Sequence, residues 1–123
     1  MSSPAAAAIV AAHRAAARVQ GGLTLYQIGD DGVEAQATVG SSQFQIETAD
    51  AVRIEHTDLD LIYEREDLVL RGGYVEPAVG HRIKVFEGAY AGQTFEVMAP
   101  AGAQCYRLAG QGKLIRVHCK RVQ

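Results

Sequence analysis

The chain has 123 residues, 48% of them hydrophobic and 21% charged, with 13 glycines, 3 prolines and no tryptophan. That is globular composition, of a size that buries a core without disulfides or metals. Twelve Lys and Arg against 14 Asp and Glu leave a net charge of −2, which argues against a free-standing nucleic-acid binder, and no apolar run reaches the roughly 18–20 residues of a membrane span.

The chain starts with helix signals. Ser3 is a good N-cap, Pro4 suits the first helical position, and an alanine-rich run follows to Ala17. Gly21-Gly22 supplies the stop, so the spacing predicts a helix over Pro4–Val19. Its large apolar residues are few: Ile9, Val10 and Val19. His13, Arg14 and Arg18 lie near its C-terminal half, where positive charge suits the helix dipole. Such a helix packs on its own domain or docks on a neighbouring subunit, and the residues leave both readings open. Met1–Ala8 lacks the basic start of a secretory signal, so synthesis in the cytoplasm is expected.

After Gly22 the period changes from helical to alternating. Leu23–Ile28 reads as a strand, Gly29-Asp30-Asp31-Gly32 as a turn, and Val33–Val39 as its half-buried partner. Phe44 and Ile46, then Val52 and Ile54, give a second hairpin. Leu59–Ile62 suggests a short strand, and Tyr63-Glu64-Arg65-Glu66-Asp67 a charged turn or single helical turn. Leu68–Leu70 is apolar again, Arg71-Gly72-Gly73 is a tight turn, and Glu76–Gly80 is a surface loop. Ile83 and Val85, joined through Glu87–Gly92 to Phe95 and Val97, make a third pair. Gln104–Leu108 turns at Gly110-Gln111-Gly112 into a last strand, with Ile115, Val117 and Cys119 on one face and Arg116, His118 and Lys120 on the other.

The result is mainly β: a small barrel or sandwich of seven to nine short strands behind one N-terminal helix. The expected division is residues 1–22 for the helix and its cap and 23–123 for the β-barrel, in one globular unit. Val52, Ile54, Ile83, Val85, Phe95, Val97, Ile115 and Val117 are the expected core.

Chemistry is sparse. There is no GxSxG, HExxH, P-loop or GxGxxG. The four histidines are scattered and read as solvated surface residues. Asp58 and Asp60, two apart on one strand face, with Glu64, Glu66 and Asp67 nearby, form an acidic stretch that reads as a solvated loop and only weakly as a cation site. Cys105 and Cys119 lie almost opposite each other across the last hairpin, without ligand spacing, and read as small apolar fillers. Neither enzyme, metal nor cofactor is expected.

From Asp58 onward the order of segments carries a resemblance. Asp67-Leu68-Val69-Leu70, Val75-Glu76-Pro77, Gly80-His81-Arg82-Ile83, Phe95–Pro100, Gln104–Arg107 and Ile115–Lys120 follow one another as in small head–tail joining or head-closure proteins of tailed bacteriophages. The chain resembles that family firmly over residues 58–122 and more loosely over Phe44–Ile54. It departs from the family pattern at His81, where aspartate is common, and at Tyr106, in place of tryptophan. The resemblance implies a virion structural protein: a ring subunit in the neck, made in the host cytoplasm. Its partners would be a portal or adaptor ring on the head side, a tail terminator or tail tube on the tail side, and identical copies around the ring. Double-stranded DNA would pass without sequence-specific binding, and no membrane would be involved. The expected contact residues are Ile9, Val10, His13, Arg14 and Arg18 on the helix, and Asp30, Asp31, Glu64, Arg65 and Glu66 on loops. A tail-terminator, tail-tube or tail-tip subunit, or a cellular β-barrel binding module, is the alternative.

Overall fold

The alternating segments close on themselves. The computed structural model describes residues 5, 7–11, 21–41, 43–47, 51–56, 59–100 and 104–122. They form eleven strands: β1 (Gly22–Ile28), β2 (Asp31–Gly40), β3 (Gln43–Glu47), β4 (Val52–His56), β5 (Leu59–Glu64), β6 (Val69–Leu70), β7 (Gly73–Tyr74), β8 (Arg82–Val85), β9 (Thr94–Val97), β10 (Tyr106–Ala109) and β11 (Leu114–Arg121). The order β11-β5-β2-β1-β8-β9 returns to β11, because Cys119 pairs with Val97 and Arg121 with Phe95. Six strands therefore make a closed antiparallel barrel, which removes the free edges an open sheet would present. β10 hangs from the outer part of β11, and β3–β4 and β6–β7 are separate two-stranded ribbons. Residue 5 and residues 7–11 are helical. The rest of the expected helix, Pro4, residue 6 and residues 12–19, lies outside the described residues.

The period-2 pattern fills the barrel. Tyr26, Ala35, Ala37, Leu61, Tyr63, Ile83, Val85, Phe95, Val97, Ile115, Val117 and Cys119 all point inward and are buried. Size alternates across the strands. Ala37 faces Tyr63 and Thr24 faces Ala35, so small residues on β2 leave room for the two tyrosine rings, which meet edge-on with centroids 6.4 Å apart. Six of the expected core residues described at side-chain level, Ile83, Val85, Phe95, Val97, Ile115 and Val117, are in this core. Val52 is not: it sits on the detached β3–β4 ribbon and is 61% exposed. Alternation marks which residues share a face, and that face is apolar only if something covers it.

Turn chemistry fixes the register. β1 and β2 are joined by Gly29-Asp30, with Gly29 at φ +60°, as a II′ hairpin turn requires at its first position. β6 and β7 are joined by Arg71-Gly72, both with positive φ, the I′ geometry. Of the expected Glu76–Gly80 surface loop, Pro77 is buried, and its carbonyl accepts from Cys105 Sγ at 3.0 Å. Both cysteines are free and buried, and burial pushes both thiols up.

Two polar contacts tie the interior tyrosines. Thr24 Oγ1 donates to the Ala35 carbonyl at 2.9 Å and lies 2.8 Å from Tyr63 Oη. Tyr26 Oη lies 2.7 Å from His81 Nδ1. Burial raises both phenols well above the usual tyrosine range, Tyr63 Oη also receiving the opposing effect of its Thr24 bond.

Phe95→Ala is expected to cost about 3–5 kcal/mol in urea unfolding, because the ring is 2% exposed at the barrel closure. Tyr26 and Tyr63 are expected to stay protonated through pH 10–12 while the barrel holds. The unfolded chain ionises them near pH 10, so stability falls as pH rises above that value. Tyrosinate absorbance during alkaline titration checks this: the late phase should coincide with unfolding.

Candidate interaction surface

The expected contact residues fall in different settings. Ile9 and Val10 are half-buried on the helix. Ile9 Cγ2 lies 2.7 Å from where a Cβ on Gly110 would be, so the helix rests on the β10–β11 turn of its own chain and that turn needs glycine there. His13, Arg14 and Arg18 lie outside the described residues. Asp30 is exposed at the β1–β2 turn. Asp31 accepts an ion pair from Arg71 and ties that turn to the β6–β7 turn. Both partners are well exposed, so the pair contributes only about 0–1 kcal/mol.

The 64–66 run divides. Glu64 is buried at the end of β5, facing Leu114. Arg65 and Glu66 enter a single 3₁₀ turn, Arg65–Asp67, and reach the surface. The Arg65 guanidinium stands 4.8 Å above the Tyr74 ring, a cation–π contact. This pair separates two depressions. One, about 210 Å³, is lined by Arg65, Tyr74, Glu76, Tyr106, Leu108 and Ile115 among others. The other, about 190 Å³, is lined by Arg65, Glu66, Tyr74, Gln111, Gly112 and Lys113.

Tyr74, 58% exposed, and Leu108, 44% exposed, were not among the expected contact residues. Leu108 alternates like a core residue and pairs with the inward Ile115. It is exposed because β10 lies past the line where β11 turns to pair with β9, so its inner face covers a groove instead of the barrel interior. Nothing in the local sequence marks that boundary.

Opposite in character is a buried polar cluster on the outside of β5 and β11. Asp60 is fully buried. Its Oδ2 accepts from Arg116 Nη1 at 2.9 Å, and its Oδ1 lies 3.0 Å from His118 Nδ1, which donates if the carboxylate is ionised. Arg116 also donates to the Ser41 carbonyl at 3.3 Å. It passes Gly40, where a Cβ would stand 3.1 Å from Nη1. The Asp60–His118 pairing is a direct cross-strand pair, so strand register assembles the cluster. This corrects two expectations. Asp60 does not belong to a solvated acidic loop, and His118, 3% exposed, is not a solvated surface histidine. Sequence alternation places both residues outward, where the pairing of β5 with β11 sets them side by side. His81 is also more than a surface group. Its Nδ1 accepts from the Ala78 N–H at 3.3 Å and meets Tyr26 Oη, and burial pulls its basicity down. Asp58 lies outside the described residues. Among the described residues no cluster of three or more His, Cys, Asp or Glu could hold a metal, and no helix is long and apolar enough to cross a membrane.

Asp60→Ala should destabilise the chain by about 3–5 kcal/mol, because it strands the Arg116 and His118 groups that the carboxylate satisfies. Arg71→Ala, at the exposed pair, should change stability by less than about 1 kcal/mol. Thermal and urea unfolding of both variants reads the contrast. His81 has its proton affinity lowered in the fold, so the unfolded chain binds the proton first as pH falls below about 6.5. Stability should therefore decline from pH 7 towards 5, and His81→Gln should flatten that slope.

No curated protein matches the chain. A family model described as phage head–tail joining protein matches residues 4–123, nearly the whole length. With its closed barrel and exposed loop surfaces, the chain belongs to the phage head–tail joining protein family and is a virion component of a bacteriophage.

Proposed function

We propose that this protein is a connector ring subunit in the phage neck, closing the filled head and joining the portal to the tail. The observation that carries this reading is the family match across residues 4–123. Membership of a structural family fits a chain that works by assembly and not by catalysis. A portal or adaptor ring would meet one side, a tail terminator or tail tube the other, and identical copies would stand around the channel. A ring subunit needs two different surfaces, one for each neighbour, and closes by rotation. The barrel supports such use, since its strands are satisfied internally and its helix, turns and ribbons are left at the periphery. The proposed contacts are the helix with Ile9, Val10, His13, Arg14 and Arg18, the Asp30–Asp31 turn, and the Arg65–Glu66 turn. A net charge of −2 suits a conduit for DNA, because a basic lumen would hold the passing phosphates.

The purified chain, mixed with the portal and tail proteins of the phage that encodes it and weighed by native mass spectrometry, tests the reading. A ring of defined copy number on the portal is the expected product. Binding to the tail protein alone would move the subunit down the particle, and binding to neither would overturn the assignment. Reversing charge at Arg14 and Arg18 together should weaken assembly while the far-UV spectrum of the barrel is kept.

A further inference from the structure

The closed barrel leaves two strand systems incomplete. The first is β10. The Cys105 carbonyl accepts from the His118 N–H at 2.9 Å, and antiparallel pairs alternate. Cys105, Arg107 and Ala109 therefore direct their backbone groups at β11, while Tyr106 and Leu108 direct theirs away from it. Among the described residues no strand pairs with that outward edge. Beside it runs the groove lined by Tyr74, Tyr106 and Leu108.

The second is the β3–β4 ribbon. It pairs over Gln43–Glu47 and Val52–His56, and neither outer edge has a strand partner among the described residues. A lone two-stranded ribbon is marginal in water and gains stability from a third strand. Val52 on this ribbon is 61% exposed.

Charge makes the two systems complementary. Residues 104–121, the β10–β11 hairpin, carry five basic residues and no acidic one, and Arg116 among them is paired with a carboxylate, Asp60, in the cluster above. The two ribbon strands carry two acidic residues, Glu47 and Glu55, and one basic one, Arg53. Two unlike edges of opposite charge on one chain suit a head-to-tail contact between copies, which closes into a ring.

We propose that β10 of one copy adds to the β3–β4 ribbon of the next, through the outward backbone groups of Tyr106 and Leu108. The ribbon becomes three-stranded and the exposed edge of β10 is covered. Arg107, exposed on β10, faces the acidic ribbon, and Leu108 and Val52 supply apolar contact. This pairing rests on the ring reading above.

Leu108→Pro tests it. The Leu108 N–H makes no bond to β11, so proline removes the donor meant for the partner and spares the hairpin. Wild-type and variant chains are each mixed with the portal protein and weighed by native mass spectrometry, with thermal melting as the check on folding. The expected result is a ring from the wild type, and its loss in a folded Leu108→Pro chain. Rings from both would overturn the edge pairing and leave the connector reading standing. No ring from the wild type would overturn both. If Leu108→Pro fails to fold, Arg107→Glu decides. Loss of the ring in that variant, with recovery when Glu47→Arg and Glu55→Arg are added, supports the pairing, and an unchanged ring overturns it.

Discussion

Everything in this fold depends on what β11 does along its length. One side of the strand pairs with β5 from Leu114 to Cys119. Its other side pairs first with β10 and then, from Cys119, with β9. Three residue pairings, Cys119–Val97, Lys120–Glu96 and Arg121–Phe95, turn an open sheet into a barrel. Closure removes two free edges and encloses Tyr26, Tyr63 and Phe95, the largest buried side chains. It also decides what is left outside: β10 is displaced from the barrel at the point where β9 takes over its place on β11.

The same strand organises the polar groups. Arg116 and His118 project outward from β11 and converge on Asp60 of β5. The Arg116 guanidinium also holds the Ser41 carbonyl, where the chain leaves β2 for the β3–β4 ribbon, and Asp60 stands just after the chain returns into β5. One side chain thus bridges both ends of the excursion, and glycine at position 40 gives it room. The barrel root of the ribbon is fixed by hydrogen bonds from a charged guanidinium, which are stronger than bonds between neutral groups.

For a protein of the head–tail joining family, this division of labour has a physical logic. The barrel supplies a rigid body whose backbone groups are satisfied without a partner. The parts outside it carry the exposed apolar residues: Tyr74 on β7, Leu108 on β10, Val52 on β4. Burying such residues against another subunit contributes roughly 25 cal/mol per Å² of apolar surface. Assembly can then add to stability without the core being remade.

Much of the fold was legible beforehand because period-2 alternation and turn residues are local. Ile83, Val85, Phe95, Val97, Ile115 and Val117 were readable as core from spacing alone, and Gly29–Gly32 and Arg71–Gly73 as turn segments, although Asp31, Gly32 and Gly73 already belong to the strands that follow. The ordered segments from Asp58 onward pointed to the family. Less of the surface was legible. Glu64 reads as part of a charged turn, yet it ends a buried strand; Val52 alternates as core does, yet it lies on a detached ribbon. His118 and Asp60, 58 residues apart, carry no mark of their partnership. Which residues share a strand face and where the chain turns follow from backbone geometry within a few residues, and so could be read along the chain. Which faces are covered, which strand edges stay open and which outward polar residues are buried follow from contacts between distant segments, and emerge only in the folded molecule.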